Sequence, residues 1–263
     1  MGARRFSIIT VSYNAAGAIG RTARSVIGQK FRDFEYLVVD GASSDGTPQE
    51  ALEATKGSND IDVNIVSEPD NGLYDAMNKG IDRATGDYLI FLNAGDTFHS
   101  SDTLSILNKA IEDNDFPGIV YGQTDIVDST GQRLADRHLK APDQLTLDSF
   151  SHGMLVCHQA FVVLSKIVSP FDTSYRFSAD YEWCIRCLQH SRRNVYVDRT
   201  LVDYLAEGMT TANRKASLIE RFRIMSRYYG LPTALLRHLQ FIPRFIRRNR
   251  LEKQLFNHNT NKQ

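Results

Sequence analysis

The sequence predicts an α/β fold with a mainly parallel central sheet, covered by helices on both faces. Two observations predict it. Short, nearly all-apolar runs alternate with helical patterns through the first half of the chain, as in strands buried on both sides. Polar clusters fall where those runs end: Tyr13-Asn14, Asp40 to Asp45, Glu68 to Asn71, and Asn93 to Asp96. In such sheets ligands bind beyond the carboxyl ends of the strands.

The elements follow in order. Residues 6–13 read as a strand, and 15–29 carry Ile19, Ala23, Val26 and Ile27 at helical spacing. A second strand covers 34–39. Ser43-Ser44-Asp45-Gly46-Thr47 opens a helix reaching about residue 56. Strands at 61–66, 88–92 and 119–121 alternate with helical stretches at 73–84 and 104–112. A further helix begins near Ala179-Asp180.

Composition narrows the class. The chain has 263 residues, 42% hydrophobic and 24% charged, which excludes disordered and collagenous chains. Cys157, Cys184 and Cys187 are too few for a disulfide scaffold. Cys184 and Cys187 form a C-x-x-C without a second pair for zinc, as expected of thiols in a reducing compartment. No apolar run is long enough for a signal peptide or a membrane span. The expected location is cytoplasmic.

The zero net charge hides an asymmetry. Residues 214–263 hold 12 Lys/Arg against 2 Asp/Glu, a net of +10, so the remainder carries −10. In that segment Leu235, Leu236, Leu239, Phe241, Ile242, Phe245 and Ile246 mix with Arg237, Arg244, Arg247 and Arg248, and Pro243 bends or divides the helix. Residues 235–250 therefore suit an anionic membrane surface, with packing against the body as the plain alternative. Without a reading motif, nucleic acid is not an expected partner.

No G-x-G-x-x-G follows the first strand and no P-loop exists, so bound phosphates need a cation held by carboxylates. Asp96, directly after an apolar strand, is the best metal candidate; capping the next helix is its alternative. Asp40 ends a strand, where its carboxylate can accept bonds from a base or ribose. Asp45 sits in a Ser/Gly turn, as a ligand group or as an Asx turn.

Four segments then carry a resemblance, in order and at matching distances. They are Thr10 to Asn14, Val38 to Thr47, Ser67 to Gly80, and Ala84 to Asp96. The chain resembles family 2 glycosyltransferases with the GT-A nucleotide-sugar-binding fold, of the capsule and exopolysaccharide type. The similarity covers about residues 5–97 and runs more weakly to about 210. It implies a catalytic domain over 1–213, with donor binding in about 1–97 and metal and acceptor functions in 98–213. Residues 214–263 form a basic, amphipathic helical tail. By resemblance, Ser12 and Tyr13 border the nucleotide, Asp40 contacts the nucleoside beside Asp45, and Asp70 and Lys79 line the donor cleft. Asn93 and Asp96 take the places of the D-x-D element, with Asp96 on Mn²⁺ or Mg²⁺. Asn93 keeps a carbonyl acceptor and loses a charge, which lowers metal affinity.

The resemblance also gives Asp180 the position of the general base, with Glu182 as rival. Two helix residues that close in sequence point in different directions, so only one faces the donor. His158 borders the acceptor or is a structural histidine. Trp183 is an acceptor platform or, more readily, core packing. Gly208 to Thr211 closes over the diphosphate with Arg214, or is a plain linker. One base and one displacement make an inverting transfer from a nucleoside-diphosphate sugar to a saccharide or lipid-linked acceptor. The enzyme would then sit peripherally at the inner face of the membrane. The rival function is a non-catalytic nucleotide-sugar or glycan-binding module of the same fold. An enzyme needs Asp96 and Asp180 at one cleft, whereas a binder does not.

Overall fold

A computed structural model describes residues 4–137, 139–206 and 214–239. Nine strands form one sheet in the order β3-β2-β1-β4-β8-β6-β9-β5, with β7 paired to β6. The first four strands, β1 (Phe6–Ser12), β2 (Phe34–Asp40), β3 (Asp62–Ser67) and β4 (Tyr88–Phe91), are mutually parallel. Between them run α1 (Ile19–Ile27), α2 (Thr47–Ala54) and α3 (Leu73–Arg83). The expected elements of this half are present within a few residues.

Beyond β4 the sheet is mixed, which corrects the expectation of a mainly parallel one. After β5 (Thr97–Phe98) and α4 (Thr103–Asp113) come β6 (Ile119–Val127), β7 (Arg133–Asp136), β8 (Phe161–Leu164), α5 (Ala179–His190) and β9 (Asn194–Leu205). Strand β8 runs antiparallel to both β4 and β6, and β9 returns parallel to β6. The reversal has a consequence for the site. The residues just before β8, the short turn His158–Ala160, arrive beside the carboxyl end of β4.

Alternation along β1 feeds two cores. Phe6 and Ile8 pack in the core that takes Ile19 and Val26 of α1, while Ile9 and Val11 join the core of Met77 (α3) and Trp183 (α5). Under α5 the aromatic rings interlock. Trp183 stacks on Phe171 at 4.8 Å between centroids, with Phe91 and Phe161 edge-on to it. These contacts seat α5 on the sheet.

The C-terminal segment is not separate from the body as far as the structure describes it. Helix α6 (Arg214–Tyr229) buries Ser217, Ile224 and Met225. Glu220 accepts the N–H groups of Arg176 at 2.9 Å and Phe177 at 2.8 Å. Tyr228 donates to Glu182, and Tyr229 to the Leu147 carbonyl. A last helical stretch, 231–239, buries Ala234 and exposes Leu235, Leu236 and Leu239. Ile224 and Met225 of α6 pack into the core cluster that holds Met77 of α3 and Trp183 of α5. Residues 207–213 and 240–263 lie outside the described residues, and with them Gly208 to Thr211 and the basic cluster at 244–250; the side chain of Arg214 is not described either.

A chain ending at Asn213 should consequently fold poorly. Ile224 and Met225 each withdraw a side chain worth about 1.5–3 kcal/mol from water, and the polar bonds of Glu220 and Tyr228 are lost with them. Urea denaturation of full-length and shortened chains measures this. An unchanged midpoint would show α6 to be dispensable.

Candidate active site

The carboxyl end of the first three strands is built by register. Ser12 pairs with Asp40 and Asp40 with Ser67, so the last residues of β1, β2 and β3 stand side by side. Their side chains meet. Asp40 Oδ1 accepts from Ser12 Oγ at 3.0 Å and Ser43 Oγ at 2.5 Å; Oδ2 accepts from Ser67 Oγ at 2.7 Å and the Ser43 N–H at 2.8 Å. Burial would raise the pKa of this carboxyl, but the bonds from Ser43, Ser67 and Ser12 outweigh it and hold it below the ordinary value. Asp40 is fully buried, so its direct role is to pin the three strand ends.

The loops above it are tied in the same manner. Asp45 accepts from Thr47 Oγ1 and N–H, forming an Asx turn, and its other oxygen accepts the Ala16 N–H at 2.9 Å. Asn14 and Ala42 both hold positive φ, +47° and +58°, a conformation costly for residues with a Cβ. Gly41 lies directly beneath Asp70 and Tyr13: a Cβ added there would come within 2.5 Å of Asp70 Oδ2. Tyr13 is 68% exposed and forms an open face over this ledge. Lys79, on α3, donates to the Pro69 carbonyl at 2.6 Å and pairs with Glu68 at 3.1 Å.

Asn93 and Asp96 occupy the turn after β4. Gly95 supplies the positive φ of +100° that the turn requires, and Thr22 of α1 braces it by accepting from the Gly95 N–H and donating to the Asp96 carbonyl. Asp96 is buried. Its oxygens accept from the Leu205 N–H at 2.9 Å and Gln159 Nε2 at 2.7 Å. Burial nevertheless pushes its pKa up to about 6. Asn93 Oδ1 is buried and has no hydrogen-bond partner among the described residues. A buried carboxylate and an amide oxygen without a partner among the described residues are hard oxygen donors of the kind that Mg²⁺ or Mn²⁺ takes, so the turn fits a divalent ion. A different group, His99, Asp125 and Asp203, brings three ligand atoms within 4.8 Å of one another and is also able to hold a metal ion. There Arg133 already pairs with Asp125 at 2.9 Å and His99 with Asp203 at 2.8 Å.

Asp180 stands in the first turn of α5, where the helix dipole favours a negative charge. Tyr74 Oη donates to its Oδ1 at 3.0 Å, and His158 Nδ1 lies 3.3 Å from its Oδ2. Asn93 Nδ2 lies 3.3 Å from His158 Nε2. Burial would raise the Asp180 pKa; the hydrogen bond and charge of His158, then the charge of Arg221 and the bond from Tyr74, bring it below the ordinary value.

Glu182 is excluded as rival by its surroundings. It is buried, its carboxylate is paired with Arg186 at 2.8 Å, and Tyr228 donates to it. Trp183 is fully buried and donates to the Ser169 carbonyl, so it packs the core and cannot be an acceptor platform. Tyr74 was not among the sequence candidates, and Gln159 stood out only as the neighbour of His158. Tyr74 lies inside the Gly72 to Gly80 segment and Gln159 beside His158, but only the sheet reversal shows what they touch.

One chain of contacts therefore joins the strand-end turn to α5. The neighbouring residues His158 and Gln159 touch Asp180 and Asp96 respectively. Comparison with known proteins agrees. The profile of Glycosyl transferase family 2 matches residues 7–169. The chain belongs to this family. A PGL/p-HBAD biosynthesis glycosyltransferase of Mycobacterium tuberculosis is 33% identical over 193 residues, covering 72% of each chain. The amylovoran biosynthesis glycosyltransferase AmsB of Erwinia amylovora is 28% identical over 211 residues, 76% of this chain and 69% of that one. Among solved structures, S. aureus TarS 1-349 superposes with a TM-score of 0.69 at 17% identity over 90% of this chain and 72% of that one. The mannosyltransferase PcManGT of Pyrobaculum calidifontis, in complex with GDP-Man and Mn²⁺, gives 0.64 at 18% identity, over 92% and 76%. These two show the GT-A-like fold. Family 2 membership makes this protein an inverting transferase that uses nucleoside-diphosphate sugars in polysaccharide or glycoconjugate synthesis.

The donor ledge yields a pH prediction. Asp40 has a folded pKa below its ordinary 3.8, so it stabilises the fold at neutral pH and loses that contribution as pH falls below about 4 through its folded value. Asp40→Asn should lower stability at pH 7 and differ progressively less from the parent toward pH 3. Urea midpoints across that range measure it; a constant difference would contradict the charge-based account.

Proposed function

We propose that this glycosyltransferase moves a sugar to a hydroxyl of a saccharide or lipid-linked glycan, with Asp180 as the general base and Asp96 as the metal-holding residue. The observation that carries the reading is the pairing of His158 with Asp180 and of Gln159 with Asp96, two consecutive residues reaching both carboxylates. An enzyme of this kind needs both groups at one cleft.

Ser12, the Tyr13 backbone and Asp40 form the ledge for the nucleoside, with Asp45 fixing the loop and Asp70 and Lys79 bordering the sugar and diphosphate. Asp96, with the Asn93 amide oxygen, would hold Mn²⁺ or Mg²⁺, which neutralises charge on the departing diphosphate when bound. Tyr74 and His158 each engage one oxygen of Asp180 and fix the carboxylate plane. The acceptor hydroxyl attacks the anomeric carbon as Asp180 takes its proton, and a single displacement inverts the configuration. Placed beside Asp180, His158 borders the acceptor. The relatives named for PGL/p-HBAD and amylovoran biosynthesis support a surface glycolipid or polysaccharide product.

Two variants separate binding from chemistry. Asp180→Asn keeps the shape and loses the base, so turnover should fall about 100-fold or more with donor affinity unchanged. Asp96→Ala should remove the gain in nucleoside-diphosphate affinity that Mn²⁺ gives in calorimetry. Near-normal turnover of Asp180→Asn would sink the base assignment, and equal affinity with Mn²⁺ and with chelator would sink the metal assignment.

The exposed Leu235, Leu236 and Leu239, 50–64% accessible, and the excess of Lys/Arg after residue 213 support a peripheral site at the cytoplasmic face of the membrane. Among the described residues no helix is long and apolar enough to cross a membrane. Changing these three leucines to serine leaves the α6 contacts intact. In flotation with anionic vesicles the parent should float at low salt and the triple variant should not. Equal behaviour of the two would reject the surface contact.

A further inference from the structure

Helix α6 meets the entry to α5 through one face. Ser217, Glu220, Arg221, Ile224 and Tyr228 recur at spacings of three and four and point inward. Ile224 is fully buried in the core. Ser217 is buried against Ser178, with the two hydroxyls 3.0 Å apart. Glu220 takes the backbone N–H groups of Arg176 and Phe177, one on each oxygen. The guanidinium of Arg221 lies over the ring of Tyr181, 5.8 Å from its centroid. Three consecutive residues, 176 to 178, are therefore held by two residues one turn apart on α6.

Those three residues lead directly into α5, whose second residue is Asp180. Ser178 occupies the N-cap position, yet its hydroxyl makes no capping bond and turns to α6 instead. The segment from Val168 to Ser178 has no helix or strand of its own. The start of α5 is thus set from outside, by a carboxylate on a helix 40 residues further along the chain. Bonds from backbone N–H groups to an ionised carboxylate are short and directional, and they fix a loop better than neutral ones do.

We infer that α6 is part of the catalytic apparatus and that Glu220 is a positioning residue: it sets the first turn of α5 and through it the place of Asp180. The role rests on the base assignment above. Glu220 touches neither of the described reactive groups; it acts through the backbone of 176 and 177. A base displaced by an ångström loses rate, while the ledge of Ser12, Asp40 and Ser67 is built from other elements, β1, β2 and β3.

The test is a series in the full-length protein: Glu220→Ala, Glu220→Gln, Asp180→Asn, and Ile219→Ala as an exposed control on the same helix. Steady-state kinetics and thermal melting are measured for each. Glu220→Ala should lower kcat on the order of 10-fold or more, with the donor KM unchanged. Glu220→Gln retains one carbonyl acceptor and should recover part of that loss. Ile219→Ala should behave as the parent. Normal kcat for Glu220→Ala overturns the proposal. So does a loss that follows the melting temperature, raises the donor KM in parallel and is not relieved by Gln, because that pattern marks plain support of the fold. Asp180→Asn separates the two readings. Normal turnover there removes the base assignment itself, whereas an inactive Asp180→Asn beside a normal Glu220→Ala removes only the positioning role.

Discussion

A carboxylate taken out of water must be surrounded by donors or shed its charge, and the open end of this sheet holds several such groups. Asp40 meets the condition fully, with four donors on two oxygens, and stays ionised. Asp180 meets it with Tyr74, His158 and the nearby charge of Arg221. Glu182 meets it with Arg186 and Tyr228. Asp96 has two donors, which with the nearby charge of Arg21 do not offset its burial, and its pKa rises to about 6. The groups therefore sort by their surroundings into a strand pin, a hydrogen-bonded cluster at the start of α5, a core ion pair and a carboxylate whose burial outweighs its donors.

The same constraint explains why the sheet changes direction after β4. A continuing parallel sheet would deliver a strand start at the far end, away from the polar turn of Asn93 to Asp96. An antiparallel β8 delivers its preceding turn to the near end, and His158 and Gln159 arrive there as donors. Gln159 answers Asp96, and His158 bridges Asn93 to Asp180. Aromatic packing then fixes α5 at the right height, since Trp183 stacks on Phe171, whose ring also stacks on that of Tyr74, the donor to Asp180. Core and cleft are one construction.

Much of this was legible in the sequence, unevenly. Strands β1, β2 and β4 stand out as short apolar runs because both their faces are buried, and helices α1 to α4 fall between or after them. The half-exposed β3 was legible from its position more than its pattern. Candidate residues at strand ends were legible because a strand end is a local event. What escaped were pairings made by topology. Nothing near Tyr74 in sequence tells that it meets Asp180, 106 positions away. The two-residue β5 and the exposed β7 are too short or too polar to give a period-two signal. Asp180 and Glu182 are acidic residues in one helical turn, and only in three dimensions does Glu182 prove to be buried and paired with Arg186 and Tyr228.

The C-terminal segment shows how charge counting misleads about packing. Summed from residue 214, the segment is strongly basic, and such a composition reads as a detachable arm. Net charge says nothing about which face of a helix is buried. In α6 the basic residues Lys215 and Arg223 are exposed, while Ser217, Ile224 and Met225 turn inward. Glu220, one of two acidic residues in the whole segment, is spent on backbone N–H groups of the body. An acidic side chain in a basic helix is the one that finds donors on a partner surface, and here that surface is the entry to α5. A division of the chain drawn on composition therefore cuts through the physical unit, which extends at least to the end of α6.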